Sequence, residues 1–118
     1  MELVEITYKE AMPVESYGSG FFRINGVTLQ GPSLITPWGA GAWGGLTDWA
    51  SILELGDKID VLLLGMGNEI AYPPKDFREA LEAAGIGVEP MSSPSACRTY
   101  NVLLSEGRRI AVALLPVV

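Results

Sequence analysis

The chain has 118 residues, of which 48% are hydrophobic and 19% charged, and it carries a formal charge of −6. That length holds one domain able to bury about two thirds of the surface its unfolded form exposes, and the surplus of apolar over charged residues argues against a disordered tail. The acidic balance opposes non-specific association with phosphate backbones, so no nucleic-acid partner is expected, and the absence of histidine excludes a Ser-His-Asp triad and removes the commonest ligand of a zinc site.

The opening Met1-Glu2-Leu3-Val4-Glu5 is acidic where a secretory signal is basic,. Residues 3 to 9 form a first strand, with Ile6 and Tyr8 alternating with polar neighbours. Tyr17 to Ile24 is aromatic-rich and runs into Asn25-Gly26, a pair that tolerates positive φ and marks a hairpin whose returning strand is Val27 to Leu29,. Ser33 to Thr36 adds a short strand, so the first third reads as a small antiparallel sheet. Pro37 to Gly45, dense in glycine and carrying Trp38 and Trp43, reads as a loop pinned by a buried tryptophan or closing over a ligand,.

Thr47 or Asp48 caps a short helix that presents Leu46, Trp49, Ile52 and Leu53 on one face, with Gly56 past its end,. The stretch that organises the chain follows. Val61 to Leu64 has no polar face, which predicts a strand covered on both sides, and Gly65-Met66-Gly67 ends it where an open α/β sheet leaves a crevice,. Pro73-Pro74 opens a helix with Phe77, Ala80, Leu81 and Ala84 on one side, and Gly85 stops it,. Ile86 to Glu89 is a strand ended by Pro90. Ser93 or Ser95 then caps a helix bearing Ala96, Tyr100 and Leu103, which Gly107 terminates, and Arg109 to Leu115 is the last strand,. The apolar run Ile110 to Val118, interrupted by Pro116, is far short of the ~20 residues of a spanning helix, so no membrane insertion is expected.

The second half is therefore strand, helix, strand, helix, strand. The fold class is α/β, with helices on a mainly parallel or mixed sheet and the N-terminal antiparallel strands as an added layer or at the edge.

Two features converge at the carboxyl ends of neighbouring strands: Gly65-Met66-Gly67, and the turn Met91 to Arg98. The turn supplies a helix N-terminus and the hydroxyls of Ser93 and Ser95. Arg98 sits near the first helical turn, where a cation is disfavoured by about 0.3–1 kcal/mol, so an anion beside it, free or as a protein carboxylate such as Glu69 or Glu89, accounts for its place. Cys97 lies beside it and is either a nucleophile or a buried structural thiol. As the only cysteine, it rules out an intrachain disulfide and suits a reducing, cytoplasmic compartment. Gly65-Met66-Gly67 lacks the third glycine of a dinucleotide site, and one thiol with scattered carboxylates is a poor ligand set for transition metals. No cofactor or metal is expected.

At Tyr17-Gly18 with Phe22-Arg23-Ile24-Asn25-Gly26, at Pro37-Trp38, at Leu62 to Gly67, and at Ala96-Cys97-Arg98-Thr99-Tyr100-Asn101-Val102-Leu103 with Glu106-Gly107-Arg108, the chain resembles the domain of unknown function 498 family over nearly its whole length. The resemblance implies a single domain with a three-layer, Mth938-like α/β fold and an added β layer. It also implies a surface pocket at Gly65 to Gly67 and Arg98, and with the residues expected to converge there the candidate lining is Gly65, Met66, Gly67, Ser93, Ser95, Cys97, Arg98, Asn101 and Trp38. Met66 stands where that family commonly has threonine, and Ser92-Ser93-Pro94-Ser95 where it tends to have Asp-Thr-Gly-Ala, which weakens a catalytic reading. Because the family includes a mitochondrial complex I assembly factor, the resemblance implies a non-catalytic binding or assembly protein with a protein partner. The alternative is a small-molecule enzyme or sensor that takes a small anion through Arg98.

Overall fold

The computed structural model describes residues 4–5 and 13–118. In chain order these form β1 (Val4–Glu5), β2 (Val14–Gly18), β3 (Phe21–Ile24), β4 (Val27–Gln30), β5 (Ser33–Thr36), β6 (Gly39–Ala42), α1 (Ala50–Leu53), a 3₁₀ turn (Gly56–Lys58), β7 (Val61–Met66), α2 (Lys75–Ala83), β8 (Gly87–Met91), α3 (Ser93–Ser105) and β9 (Ile110–Leu115). One sheet has the order β1-β6-β5-β9-β7-β8, and a second has the order β2-β3-β4. β7 runs parallel to both β8 and β9, whereas β5, β6 and β1 extend the sheet in antiparallel fashion. The mixed sheet and its separate antiparallel layer match the expected class.

Strand alternation divides the interior in two. Leu62 and Leu64 point into a core with Ile52, Phe77, Leu81, Ala111 and Ala113. Leu63, between them, points into the other, with Phe22, Ile24, Cys97, Tyr100, Val112 and Leu114,. α1 and α2 thus cover one face of the sheet, and α3 with the three-stranded layer covers the other. Each fully buried side chain of this size contributes on the order of 1.5–3 kcal/mol, and a one-residue slip of β7 would exchange the two cores.

Asn25 and Gly26 take the hairpin turn at φ 50° and 74°, as their residue types predict. Several expectations need correction. The residues after Pro37 are not all loop: Gly39–Ala42 is β6, paired on both sides. Its first three residues are buried, and such small side chains carry no strand pattern to read. The Thr36 hydroxyl accepts from the N–H groups of Trp38 and Gly39 at 3.0 and 2.9 Å and closes the turn between β5 and β6. β5 accordingly joins the large sheet rather than the small one. Pro90 does not end its strand; it lies within β8, at the sheet edge, where a missing N–H leaves no ladder bond unmade,. Of the strand expected over residues 3 to 9, Val4–Glu5 is confirmed and Ile6 and Tyr8 lie outside the described residues. Trp43 is the pinned tryptophan: its indole N–H donates to the Asp48 carbonyl at 2.9 Å, and its ring meets Phe77 edge-on at 6.1 Å,.

Candidate functional site

The two features expected to converge do meet, and they meet as packing. Ser93, fully buried as the first residue of α3, donates its N–H to the Gly67 carbonyl at 2.7 Å and accepts from the Gly67 N–H on its hydroxyl at 2.9 Å. The same hydroxyl donates to the Leu115 carbonyl. One serine therefore ties together the carboxyl ends of β7 and β9. Gly65 makes this approach possible, because a Cβ there would lie 2.6 Å from the Ser93 hydroxyl oxygen and 2.9 Å from its Cα. The helix cap is Ser92, not Ser93 or Ser95: its side chain accepts from the Ser95 N–H at 3.3 Å, and Ser93, already inside the helix, uses its hydroxyl elsewhere.

The open space lies one turn further along α3. A cavity of about 320 Å³ runs between this helix and β2, lined by Val14, Glu15, Ser16, Tyr17, Pro94, Cys97, Arg98 and Asn101. Cys97, Arg98 and Asn101 of the expected set line it, and Ser95 borders it through a hydrogen bond from the Arg98 guanidinium at 3.2 Å. Trp38 and Met66 do not belong to it; both pack on the core of the opposite face, with Lys58 Nζ 5.6 Å from the Trp38 ring centre.

The groove's electrostatics are simple. Arg98 is exposed, and among the described residues the ion pairs are Lys75 with Glu79 and Arg109 with Asp60, so neither Glu69 nor Glu89 neutralises it. Glu15 turns away, accepting from the Gly26 N–H at 2.6 Å. Cys97 is 5% exposed, and burial pushes its thiol up to about 11 despite the opposing pull of the Arg98 charge,. Burial thus disfavours the thiolate form that nucleophilic attack requires,. Burial likewise raises the phenol of Tyr100, whose hydroxyl has no hydrogen-bond partner among the described residues.

Asn101 has a definite task. Its side-chain oxygen accepts from the Val14 N–H at 2.8 Å and its amide nitrogen donates to the Val14 carbonyl at 3.1 Å, joining helix to strand across the groove. Sequence reasoning reached the α3 side of the groove and missed the β2 side. Val14 to Tyr17 carry no chemical signature, and a register shift between Val14 and Ser16 moves the inward-facing positions off simple alternation. The lining as a whole offers one guanidinium, the Asn101 amide, the hydroxyls of Ser16 and Tyr17, a Glu15 carboxylate engaged with the Gly26 N–H, polar backbone and a buried thiol, groups able to bind and orient a ligand,.

Comparison with known proteins gives a consistent neighbourhood. The family model described as "Protein of unknown function (DUF498/DUF598)" matches residues 14–115. The chain is 51% identical over 106 residues to an uncharacterized protein of Rhodobacter capsulatus, covering 90% of this chain and 86% of that one. It is 30% identical over 123 residues to the Rattus norvegicus protein named NADH dehydrogenase (ubiquinone) 1 alpha subcomplex assembly factor 3, covering 98% of this chain and 66% of that longer protein. Its fold matches a crystal structure described as an outer membrane protein from Bartonella henselae with a TM-score of 0.82 at 35% identity, covering 91% and 96% of the two chains. It also matches a solution structure from Bordetella pertussis described as a Mth938-like domain, with a TM-score of 0.75 at 27% identity and coverage of 98% and 92%.

Proposed function

We propose that this chain, which belongs to the DUF498/DUF598 family of proteins of unknown function, is a single-domain, non-catalytic binding or assembly factor whose partner docks at the groove between β2 and α3. The observation that carries the reading is the make-up of that groove. Arg98 is an exposed cation with no carboxylate partner among the described residues, while burial raises the thiol of the neighbouring Cys97 and disfavours its thiolate. A site of that kind can select a ligand by charge and hydrogen bonding but is poorly equipped to transform it. The assembly-factor names of the relatives support a protein as the partner.

The second reading is a sensor or enzyme for a small anion held by Arg98, with the hydroxyl of Ser95 and the N-terminal end of α3 beside it,. The guanidinium, without a carboxylate partner among the described residues, is what favours it. We place the protein in the cytoplasm, on the strength of a single, free and buried cysteine,; among the described residues no helix is long and apolar enough to cross a membrane.

The test is affinity capture from the native host with wild-type and Arg98→Ala baits. One stoichiometric protein recovered by the wild type and lost with the variant supports the assembly reading. Recovery of no protein, together with stabilisation by a small anion, transfers the site to the second reading.

A further inference from the structure

The groove has a backbone wall as well as side chains. Ile24 and Val27 flank the two-residue turn between β3 and β4, and residues in that position exchange both of their backbone hydrogen bonds. By alternation Ile24 and Phe22 direct their N–H and C=O groups to β4, and Arg23 and Phe21 direct theirs to β2. Opposite Ile24 and Phe22 stand Val14 and Tyr17, whose own backbone groups therefore face away from β3. Val14 bears this out, since both of its groups bond to Asn101. At the other end of the edge the Gly20 N–H is taken by the Val117 carbonyl at 2.9 Å. Between these anchors Tyr17 lines the cavity together with Arg98, and among the described residues neither a side chain nor backbone outside its own ladder bonds its N–H or C=O.

Resting on the reading of this groove as a protein-binding site, we infer that it captures the C-terminal end of an extended peptide. The terminal residue adds to the β2 edge at Tyr17, donating its N–H to the Tyr17 carbonyl, and its carboxylate accepts from the Tyr17 N–H and the Arg98 guanidinium. Three observations select a chain end over an internal segment. Among the described residues the edge is closed at one end by the Asn101 clamp on Val14 and at the other by Val117 on Gly20, so a strand running through would meet backbone already paired. A cavity of about 320 Å³ is at the small end of ligand sites. Arg98 is the one cation among its lining residues, which also include Tyr17, whose backbone N–H and C=O donate and accept in the pattern a terminal residue reverses.

The probe is a pool of amino-terminally fluorescein-labelled hexapeptides randomised at the last three positions, prepared with free and with amidated C-termini. Expected are polarisation binding by the free-carboxylate pool, a loss of about tenfold on amidation, a similar loss for Arg98→Ala, and no further loss when the two are combined. Arg98→Lys restores part of the affinity, and the Tyr17 amide becomes protected from hydrogen exchange only with the free-carboxylate pool. Equal binding of the two pools overturns the inference, as does absence of binding at about 1 mM peptide or complete competition by acetate at the peptide's own affinity. Affinity capture separates this from the broader reading: a partner still recovered by Arg98→Ala refutes terminal capture and leaves the assembly role standing. Peptide binding with no partner recovered refutes the assembly role alone.

Discussion

The side-chain amide of Asn101 lies against Val14 as a neighbouring strand residue would, accepting from its N–H at 2.8 Å and donating to its carbonyl at 3.1 Å. Across 87 positions of sequence, the helix supplies the outer partner that β2 lacks. Asn101→Ala removes both bonds and leaves two half-buried backbone groups unpaired, at a cost of about 2–3 kcal/mol. Asn101→Asp loses the donor and sets a carboxylate against the Val14 carbonyl, and should be at least as damaging. Urea denaturation measures both, and faster exchange of the Val14 amide locates the loss.

Gly65→Ala should cost more than the ordinary loss from placing a side chain on a strand. The new Cβ would lie 2.7 Å from Leu114 Cδ2 and 2.9 Å from the Ser93 Cα, and a backbone atom cannot rotate away. The expected penalty is about 2–4 kcal/mol. Ser93→Ala, which unties Gly67 and Leu115, should cost a similar amount, and the double variant should fall short of the sum because both changes loosen the same junction. A thermal-melt series of the three variants decides it.

Leu63→Asp places a carboxylate at a position 2% exposed, among the apolar side chains of the α3-side core. No cation is among the described residues of that cluster. The unpaired charge should abolish soluble expression, which a fractionated lysate reports directly.

Arg98→Ala should leave stability within about 0.5 kcal/mol, because the side chain is exposed and has no ion-pair partner among the described residues,. Any stabilisation of the wild type by phosphate or sulfate should vanish with it. A variant weakened by about 3–5 kcal/mol would instead reveal a buried carboxylate left without its partner.

Cys97 sets an alkaline limit. Its thiol is raised from its ordinary value of 9.0 to about 11, chiefly by burial, so between those values the unfolded chain has released a proton that the folded protein still holds. Stability is therefore intact below about pH 9 and falls by about 1.4 kcal/mol per pH unit as the pH rises toward 11. Tyr100 is shifted in the same direction, so the measurement is the difference between wild type and Cys97→Ala, whose stability curve should be shallower across that window. Alkylation of the native thiol by iodoacetamide should be slow at pH 8 for the same reason.

What could be read from the sequence followed the strength of each local signal. The run Val61 to Leu64 is apolar on both faces because β7 feeds two cores, and Asn25-Gly26 leaves little choice but a hairpin. β6 was illegible because Gly39, Ala40 and Gly41 have almost no side chain with which to express a face. The site was half legible. Cys97, Arg98 and Asn101 sit on one regular helix, but their counterparts Val14 and Tyr17 are brought into line by a register shift that no residue pattern announces. Gly65 and Gly67 at the carboxyl end of β7, expected to border a crevice, are instead approached by the chain itself, through Ser93.

The position of β9 bears on how the protein is made. It is the last of the described strands to be synthesised, yet it lies between β5 and β7, joining the antiparallel part of the sheet to the parallel part. Until residues 110 to 115 have been synthesised and released from the exit tunnel, β5 and β7 each present an unpaired apolar edge, and the two cores cannot close around them. Closure of the sheet then waits on a single long-range step of the slow, aggregation-exposed kind. A nascent chain arrested before Ile110 is accordingly the form on which a general chaperone has most to hold.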